Sequence, residues 1–493
     1  MFRNREGRTG RTFFGHPWGL STLFLTEMWE RFSFYGMRAL LALYLAAPSS
    51  EGGLGFSDST AVAIYSVYSS MVYLLTLPGG WVSDRLLGPR RSVSTACVII
   101  TLGHFLMAAP TTAFFFVGLA FVAIGSGLVK ANISTMVGHL YAGPLESRRD
   151  SAFTIFYMGI NLGSFLAPLI IGTVGQKISY QAGFALAGVG MAIGLGQYLS
   201  GQRFLSPSSS MTPAPLDASS RRRILQKGLL WLLVPVAFYT WVGLSGHYTL
   251  NWVMVPITLI GLVFPAWTLF RIRNDPELTP AEKTRISGYI WLFVAAAVFW
   301  MVYDQGGSTL NLFAAQNTDT TILGFDFPSS WFQSLNPLFI MMLAPMFAWL
   351  WQVQGARNRE WSTPVKFAVG LLLVALSFGV FLAALAAAAG GAKASPLWLA
   401  LIFLVQTAGE LCLSPVGLSV TTKLAPGKYG SQMMGVWFLA VTAGDCVTSL
   451  AATAGANLDS PSFVIVEVAV TLATSLLIAS FRNSISARFL GHR

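Results

Sequence analysis

The sequence predicts an all-α polytopic membrane protein, and three observations point to it. Of its 493 residues, 54% are hydrophobic and only 10% are charged. Apolar runs of about 20 residues, the length of a membrane-spanning helix, recur along the whole chain. Most of the 31 Lys and Arg fall in one alternating set of loops and in the tails. Lys177 and Lys393 fall in the opposite set, and Arg31, Arg38 and Lys130 lie inside apolar segments. That asymmetry follows the positive-inside rule and puts both termini in the cytoplasm of a multi-pass cell-membrane protein. It also accounts for the net charge of +11 without a nucleic-acid partner. Residues 1–17 are basic and polar and the first apolar run is too long for a signal h-region, so no cleavable signal peptide is expected. Cys97, Cys412 and Cys446 have neither disulfide nor metal spacing and read as packing residues.

Taken in order, a cytoplasmic tail (1–17) precedes six spans near 18–46, 60–83, 92–110, 113–140, 151–175 and 182–203. These form an N-terminal six-helix bundle over 18–204. The linker 205–227 contains SPSSSMTPAPLDASSRRR, polar and flexible by composition. Two inserted spans, near 228–245 and 251–270, occupy 228–270. They carry almost no intramembrane charge and read as packing or regulatory elements outside any pathway. A charged stretch, 271–285, reads as a cytoplasmic linker helix. Six further spans near 286–305, 331–352, 365–388, 396–423, 431–453 and 462–481 form a second bundle over 286–481. A cytoplasmic tail (482–493) ends the chain. Fourteen spans are thus expected, in the order six, two, six, and internal repeats place transporter sites near mid-membrane at the repeat interface.

The first span holds TEMWERFSFYGMR (26–38), with Glu27, Glu30, Arg31 and Arg38. At 100° per residue these and Tyr35 fall within roughly 140° of one helix face. A charge at mid-bilayer costs about 2.5–3.5 kcal/mol on insertion scales. Such a face belongs in a polar interior, where the opposite charges compensate each other and the glutamates can carry protons.

GGWVSDRLLGPRR (79–91) follows the second span. Its glycines allow close helix approach, Asp84 suits a helix cap or an Arg partner, and Arg85, Arg90 and Arg91 meet the cytoplasmic surface. The pattern resembles G-x-x-x-D-R-x-x-G-x-R-R of major facilitator transporters, which implies the major facilitator fold: two six-helix bundles, here with two extra helices.

Other polar groups sit deep in spans. Tyr65, Tyr68 and Tyr73 share a face, a pattern that is ordinary packing more often than not. Lys130 lies about ten residues from either end of its span, too deep for snorkelling. Tyr157 and Asn161 are one turn apart and able to meet a ligand, although asparagine also serves as interhelical glue. Trp300 and Asp304 are one turn apart, as are Glu410 and Ser414. Asn336-Pro337 and Pro415 are expected to bend their helices. Trp437 and Asp445 lie in the next-to-last span, and His104 and His139 read as structural.

Together these residues resemble the proton-coupled oligopeptide transporter family of the major facilitator superfamily, bacterial type, over nearly the whole chain. Glu27-Met28-Trp29-Glu30-Arg31-Phe32 matches the signature E-x-x-E-R-F. FYMGINLGS, YDQGGS, FQSLNPLF and GELCLSP-GL follow in the family's order. The resemblance implies proton-driven symport of di- and tripeptides, with peptide-like drugs as further substrates, by a secondary transporter that works as a monomer and needs no cofactor besides protons. It is not an enzyme: no nucleophile–base pair, metal spacing or cofactor loop is present. By position, Arg38 and Lys130, with Tyr35 and Tyr73, hold the peptide carboxylate. Asn161, Asn336 and Glu410 hold the amino terminus. Tyr157, Trp300, Ser414 and Trp437 line side-chain pockets. Glu27, Glu30 and Arg31, with Lys130, form the proton-coupling cluster, and Arg38 with Asp304 closes the outer gate.

The sequence departs from the family pattern at Ala131, where Pro commonly follows the lysine, and at Asp445, where Asn is usual. Glu467 is a further uncommon acid. These two acids read as neutral groups satisfied by hydrogen bonds in preference to a second proton site. The rival readings are a carrier of another zwitterion or an anion, such as amino acids or nitrate, and a non-transporting sensor on the same scaffold. Glu410 disfavours a pure anion carrier, and an intact proton cluster disfavours a sensor.

Overall fold

A computed structural model describes residues 12–141, 143–322, 324–357 and 359–491; the first eleven residues of the expected tail lie outside them. Each expected span coincides with a helix. We label these α1 (Gly19–Ala46), α2 (Asp58–Leu74, continued by Thr76–Val82), α3 (Pro89–Met107), α4 (Thr112–Leu140), α5 (Arg149–Ala167, continued by Thr173–Lys177) and α6 (Tyr180–Gly201). The inserted pair is α7 (Ala218–Leu244) and α8 (Asn251–Arg273). The second bundle is α9 (Pro280–Tyr303), α10 (Leu335–Ala356), α11 (Thr363–Ala387), α12 (Pro396–Leu424), α13 (Gly430–Thr453) and α14 (Pro461–Ser480). Among the described residues, twelve helices are long and apolar enough to cross a membrane. α1 is not one of them, because any stretch of it long enough to span contains Glu30, Arg31 and a further charge. α3, which opens Pro89-Arg90-Arg91, is the other exception.

Local chemistry sets several helix starts. Thr279-Pro280, Ser395-Pro396 and Ser460-Pro461 each place a capping hydroxyl before a proline, whose missing N–H is no loss in a first turn. At α9 the cap is reciprocal: Thr279 Oγ1 accepts from Glu282 N at 3.3 Å, and Glu282 Oε2 accepts from Thr279 N at 2.9 Å.

Within each bundle, one pair of glycines lets neighbouring helices touch backbone to backbone. A Cβ on Gly118 of α4 would stand 2.4 Å from the Gly103 carbonyl oxygen of α3. In the second bundle, Gly370 of α11 and Gly409 of α12 each leave 3.0 Å between a Cβ and the other's carbonyl oxygen. Small residues at such crossings permit the close van der Waals packing that holds helices together in lipid. The bundles meet along α2–α13 and α5–α10.

Several expectations are corrected. The linker 205–227 is not a loose tether. Ala214 N donates to Asp84 O at 2.9 Å and Leu216 N to Arg85 O at 3.2 Å, so the linker docks on the α2–α3 loop, and residues from Ala218 onward already belong to α7. Asp84 makes no ion pair among the described residues, and α3 starts at Gly88 (φ +75°) without a side-chain cap. In 271–285 the first residues finish α8 and only those from Pro280 begin the next helix, as the start of α9 itself. Between them Asp275 accepts from Lys428 Nζ at 2.8 Å and from the Tyr429 hydroxyl, partners that hold its carboxyl below the usual range. The tail 482–493 contains a short helix, Arg482–Phe489, whose Phe489 lies against Gly288. Asn336-Pro337 does not bend a helix: Pro337 sits in the first turn of α10, where no N–H is required. Pro415 stands inside an unbroken α12.

The inserted pair lies at the edge. α8 rests on α13 and α2, with Gly261 against Cys446 and Thr258 Oγ1 3.2 Å from Ser449 Oγ. α7 leaves most of its described residues exposed. The three cysteines are free and buried, as packing residues should be.

Gly118→Val forces backbone against a side chain and is expected to destabilise by about 1–3 kcal/mol, the usual range for overpacking. Gly196, with nothing within 4 Å of a Cβ, is the control. Thermal melts followed by size-exclusion fluorescence check this: only Gly118→Val should melt early.

Candidate functional site

The charged face of α1 is turned inward. Glu27 is 2% exposed, Glu30 0% and Arg31 8%. Arg31 Nε donates to Glu27 Oε1 at 2.8 Å and lies 3.3 Å from Glu30 Oε2. Ser126 Oγ of α4 donates to Glu30 Oε1 at 3.4 Å. One guanidinium thus answers two carboxylates, and Oε2 of each is buried without a hydrogen bond among the described residues. Buried acceptors are normally satisfied, so this shortage of donors sets the cluster apart.

Lys130, on the unbroken α4, belongs to the same region but turns elsewhere. Its Nζ lies 3.8 Å from the centre of the Tyr73 ring and 5.3 Å from that of Phe34. Among the described residues it makes no ion pair within 4.0 Å, so Arg31 is the cation of the glutamate cluster and Lys130 is held by aromatic faces. Asn132, at the position after Ala131, bonds back to Leu128 O at 2.6 Å within the same helix.

Arg38 and Asp304 meet across the two bundles. α9 stops at Tyr303, a single tight turn covers Asp304–Gly307, and helix resumes over Thr309–Asn317. The break presents Asp304 to Arg38 Nη2, with which it pairs, while Ser69 Oγ of α2 donates to its other oxygen at 2.8 Å. Arg38 Nε donates to the Tyr65 hydroxyl. A Cβ on Gly307 would fall 2.0 Å from that hydroxyl, so glycine is what lets the broken helix close on α2. Asp445 of α13 is 2% exposed, with Oδ2 free of any hydrogen bond among the described residues.

On the other side of the interface, Glu410 accepts from the Tyr303 hydroxyl and from Asn336 Nδ2 at 3.2 Å. Asn336 Nδ2 also lies 2.7 Å from the Tyr303 hydroxyl and 3.1 Å from Thr407 Oγ1. Asn161, expected beside these two, instead donates to Tyr157 O of its own helix at 3.0 Å. Tyr157 is 47% exposed, and Trp300 packs edge-on against Tyr303 at 5.1 Å with its indole N–H unbonded. Ser414 Oγ is buried without a hydrogen bond among the described residues. Trp437 is 4% exposed and fills the notch at Gly417. Tyr35 lies under the Arg38 guanidinium at 5.8 Å, and Tyr73 stacks on Phe438 of α13.

Three partners were not legible as site residues. Tyr65 and Ser69 belong to the tyrosine face of α2, which looked like packing; Tyr303 precedes the more conspicuous Asp304. Their signal is the need of Arg38, Asp304 and Glu410 for buried partners.

The bundles touch on both sides of mid-depth: Leu77, late in α2, lies against Gly435, early in α13. α1 starts, and each later helix reverses direction, so one face of the molecule carries the start of α1. Among the described residues, every hydrogen bond between the bundles lies at mid-depth or toward the opposite, far face. Besides the Asp304 contacts, these include Asn311 Nδ2 to Ala39 O at 2.8 Å, Gln176 Nε2 to Ser329 Oγ at 2.9 Å, Trp331 Nε1 to Thr173 Oγ1 at 2.8 Å and Ser334 Oγ to Phe165 O at 2.8 Å. Lys177 and Asp326 add a rim ion pair.

A family model described as the POT family matches residues 90–463. The chain is 44% identical over 439 residues to an uncharacterized transporter of Bacillus subtilis (strain 168), covering 89% of this chain and 88% of that protein. It is 43% identical over 444 residues to a di-/tripeptide transporter of Lactococcus lactis subsp. cremoris, covering 88% of each. It superposes on a crystal structure of a peptide transporter POT in complex with sulfate with a TM-score of 0.93, at 38% identity and 97% coverage of both chains.

Gly307→Val should keep α9 from closing on α2. Spin labels on the far ends of α1 and α9 are expected to report longer distances in this variant and an unaltered distribution in Gly306→Ala, whose Cβ has room.

Proposed function

The chain belongs to the POT family, and we propose that it carries di- and tripeptides into the cell together with protons, by alternating access. It is a multi-pass membrane transporter and not an enzyme. One observation carries the substrate reading. Cations stand in the first bundle, at Arg38 and Lys130, and a carboxylate without a cation partner among the described residues, Glu410, stands in the second, braced by Tyr303 and Asn336. A zwitterionic peptide matches that polarity end to end, whereas an anion alone would leave Glu410 unanswered.

In the far-closed state Arg38 is occupied by Asp304, while Lys130 rests only on Tyr73 and Phe34. Lys130 is therefore the cation ready to take the peptide carboxylate, with Tyr35 and Tyr73 beside it. The ammonium end reaches Glu410 and Asn336. Asn161 and Tyr157, on the accessible stretch of α5, complete the amino-terminal side. Trp300, Ser414 and Trp437 bound the side-chain space; their apolar faces suit substrates recognised by a shared backbone rather than by sequence. We place the face that carries the start of α1 in the cytoplasm, so that the far face is the outer mouth.

Proton coupling rests on Glu27, Glu30 and Arg31. Two carboxylates on one guanidinium are electrically balanced by one added proton, and loss of that proton leaves a charge for Lys130 to answer. Inward movement of a positive charge gains about 2.3 kcal/mol per 100 mV. The protein acts as a monomer, and peptide-like drugs that keep both charged ends enter by the same route.

Reconstituted into liposomes, the protein should concentrate labelled dialanine under an inward proton gradient and lose this when ionophores collapse gradient and potential. Equal accumulation without the gradients would end the coupling claim. Glu30→Gln should abolish gradient-driven uptake and retain peptide counterflow. Glu410→Ala should weaken peptide binding about tenfold or more, since a hydrogen bond to a charged group is worth about 1.5–3 kcal/mol. If both variants lose counterflow alike, proton site and peptide site are not separate.

A further inference from the structure

Glu467 is a buried acid that the transport scheme above does not use. It stands in the first half of α14, 3% exposed, and is the only charged residue of that helix. Its Oε1 accepts from Gln305 Nε2, in the break of α9. Gln305 is also buried, and both ends of its amide are used. Nε2 donates to Met301 O at 3.1 Å as well, and Oε1 accepts from Thr309 Oγ1 at 2.9 Å. A carbonyl oxygen only accepts, so the contact with Met301 fixes which end of the amide is nitrogen. Met301 lies in the last turn of α9, and Thr309 opens the helix that resumes after the break. One side chain thus staples the two helical pieces across Asp304–Gly307, and Glu467 ties the staple to α14.

The turn is held from two directions. Asp304 meets Arg38 and Ser69, and Gly307 lies against Tyr65; these partners belong to the first bundle. Gln305 is held by Glu467, Gly306 O accepts from Gln333 Nε2 at 2.7 Å, and Met301 O accepts from Thr448 Oγ1 at 3.1 Å. These partners belong to the second bundle, as α9 itself does. Parting of the bundles removes the first set and leaves the second. A turn that loosened at each opening would have to be ordered again at each closure, at a cost in conformational entropy. An apolar residue at 467 would strand a Gln305 N–H in a dry interior, which is why an acceptor is needed there. A single acceptor is enough for the tie, since Glu467 Oε2 makes no hydrogen bond among the described residues.

We propose that Glu467 is a positioning residue for the far gate: through Gln305 it fixes the break in α9 that aims Asp304 at Arg38, and it keeps that turn formed while the gate is open. The proposal rests on the gate reading of Arg38 and Asp304.

Two spin-label distances test it, both in the full-length protein without peptide. One, between the far ends of α1 and α9, reads the gate. The other, between labels at the exposed positions Ala315 and Ser462, lies within the second bundle and reads the turn itself. Glu467→Gln keeps an acceptor and is expected to match wild type in both. Glu467→Leu keeps the bulk without the acceptor. It is expected to broaden the second distance and to lower the closed-to-open ratio about tenfold, the scale of one buried hydrogen bond lost. Adding Gln305→Leu should cost no more than either change alone, because both break the same tie. A narrow second distance in Glu467→Leu overturns the proposal, and so does a Glu467→Gln that behaves like Glu467→Leu. If Glu467→Leu does not fold, Gln305→Leu alone replaces it, with the same broadening expected and a narrow distance again decisive against the idea. Asp304→Asn leaves the tie intact and should open the gate with the second distance still narrow. An unmoved gate in that variant overturns the gate reading, a failure distinct from failure of the tie.

Discussion

The structure depends on how the charges of α1 are answered. Four ionised side chains on a single spanning helix would cost about 10 kcal/mol facing lipid on insertion scales. All four are instead paired within the protein, and the pairs differ in kind. Glu27, Glu30 and Arg31 are satisfied largely within one helix, with Ser126 as the nearest aid from α4. Arg38 reaches into the other bundle for Asp304. The first arrangement survives any relative motion of the bundles. The second joins the two bundles.

The same logic explains the break at Asp304–Gly307. An unbroken α9 would hold its backbone at helical distance from α2 and aim residue 304 along one fixed direction. The tight turn brings the backbone at Gly307 against the Tyr65 hydroxyl and frees Asp304 to face Arg38 and Ser69 together. Beyond the turn, Asn311 donates to Ala39 O, so the resumed helix seals the layer above the ion pair. A polar pair capped by a second hydrogen-bonded layer is shielded from water when closed and wet when open. That contrast keeps breakage feasible, because a separated pair is stabilised by water that the closed state excludes.

Much of this was legible in the sequence. Length and apolarity located the long apolar helices but not the short ones at Thr309–Asn317 and Arg482–Phe489, and the spacing of Glu27, Glu30, Arg31 and Arg38 gave the inward face of α1. The depths of Arg38 and Asp304 gave their encounter. What was not legible depends on partners distant in the chain. Tyr303, Tyr65 and Ser69 look like ordinary helix residues until Glu410, Arg38 and Asp304 are brought to them. Asn161 illustrates the reverse: a polar residue at mid-membrane whose amide is taken up by its own helix. The linker was misjudged because serine and proline content describes a free chain, and the free carbonyls of Asp84 and Arg85 gave this one a surface to dock on. Asn336-Pro337 was misjudged because proline bends a helix only where an N–H is needed, and the first turn needs none.

In the proposed cycle, the distribution of charge between the bundles sets the direction. With the far gate shut, Arg38 is engaged, Lys130 lies on aromatic rings and Glu410 is held by neutral donors. A peptide that bridges Lys130 and Glu410 therefore draws the two bundles together without competing with Asp304. With the far gate open, Arg38 is released as a second cation at the outer end of the same cavity. Substrate entering from that side meets two cations, and closure withdraws one of them to Asp304. The carboxylate is thus left with fewer partners in the state that opens inward, and a ligand held by fewer charges dissociates faster. In that proposed scheme, exchange of one cation between an acid of the protein and an acid of the substrate would make the outer face the better place to bind and the inner face the better place to leave.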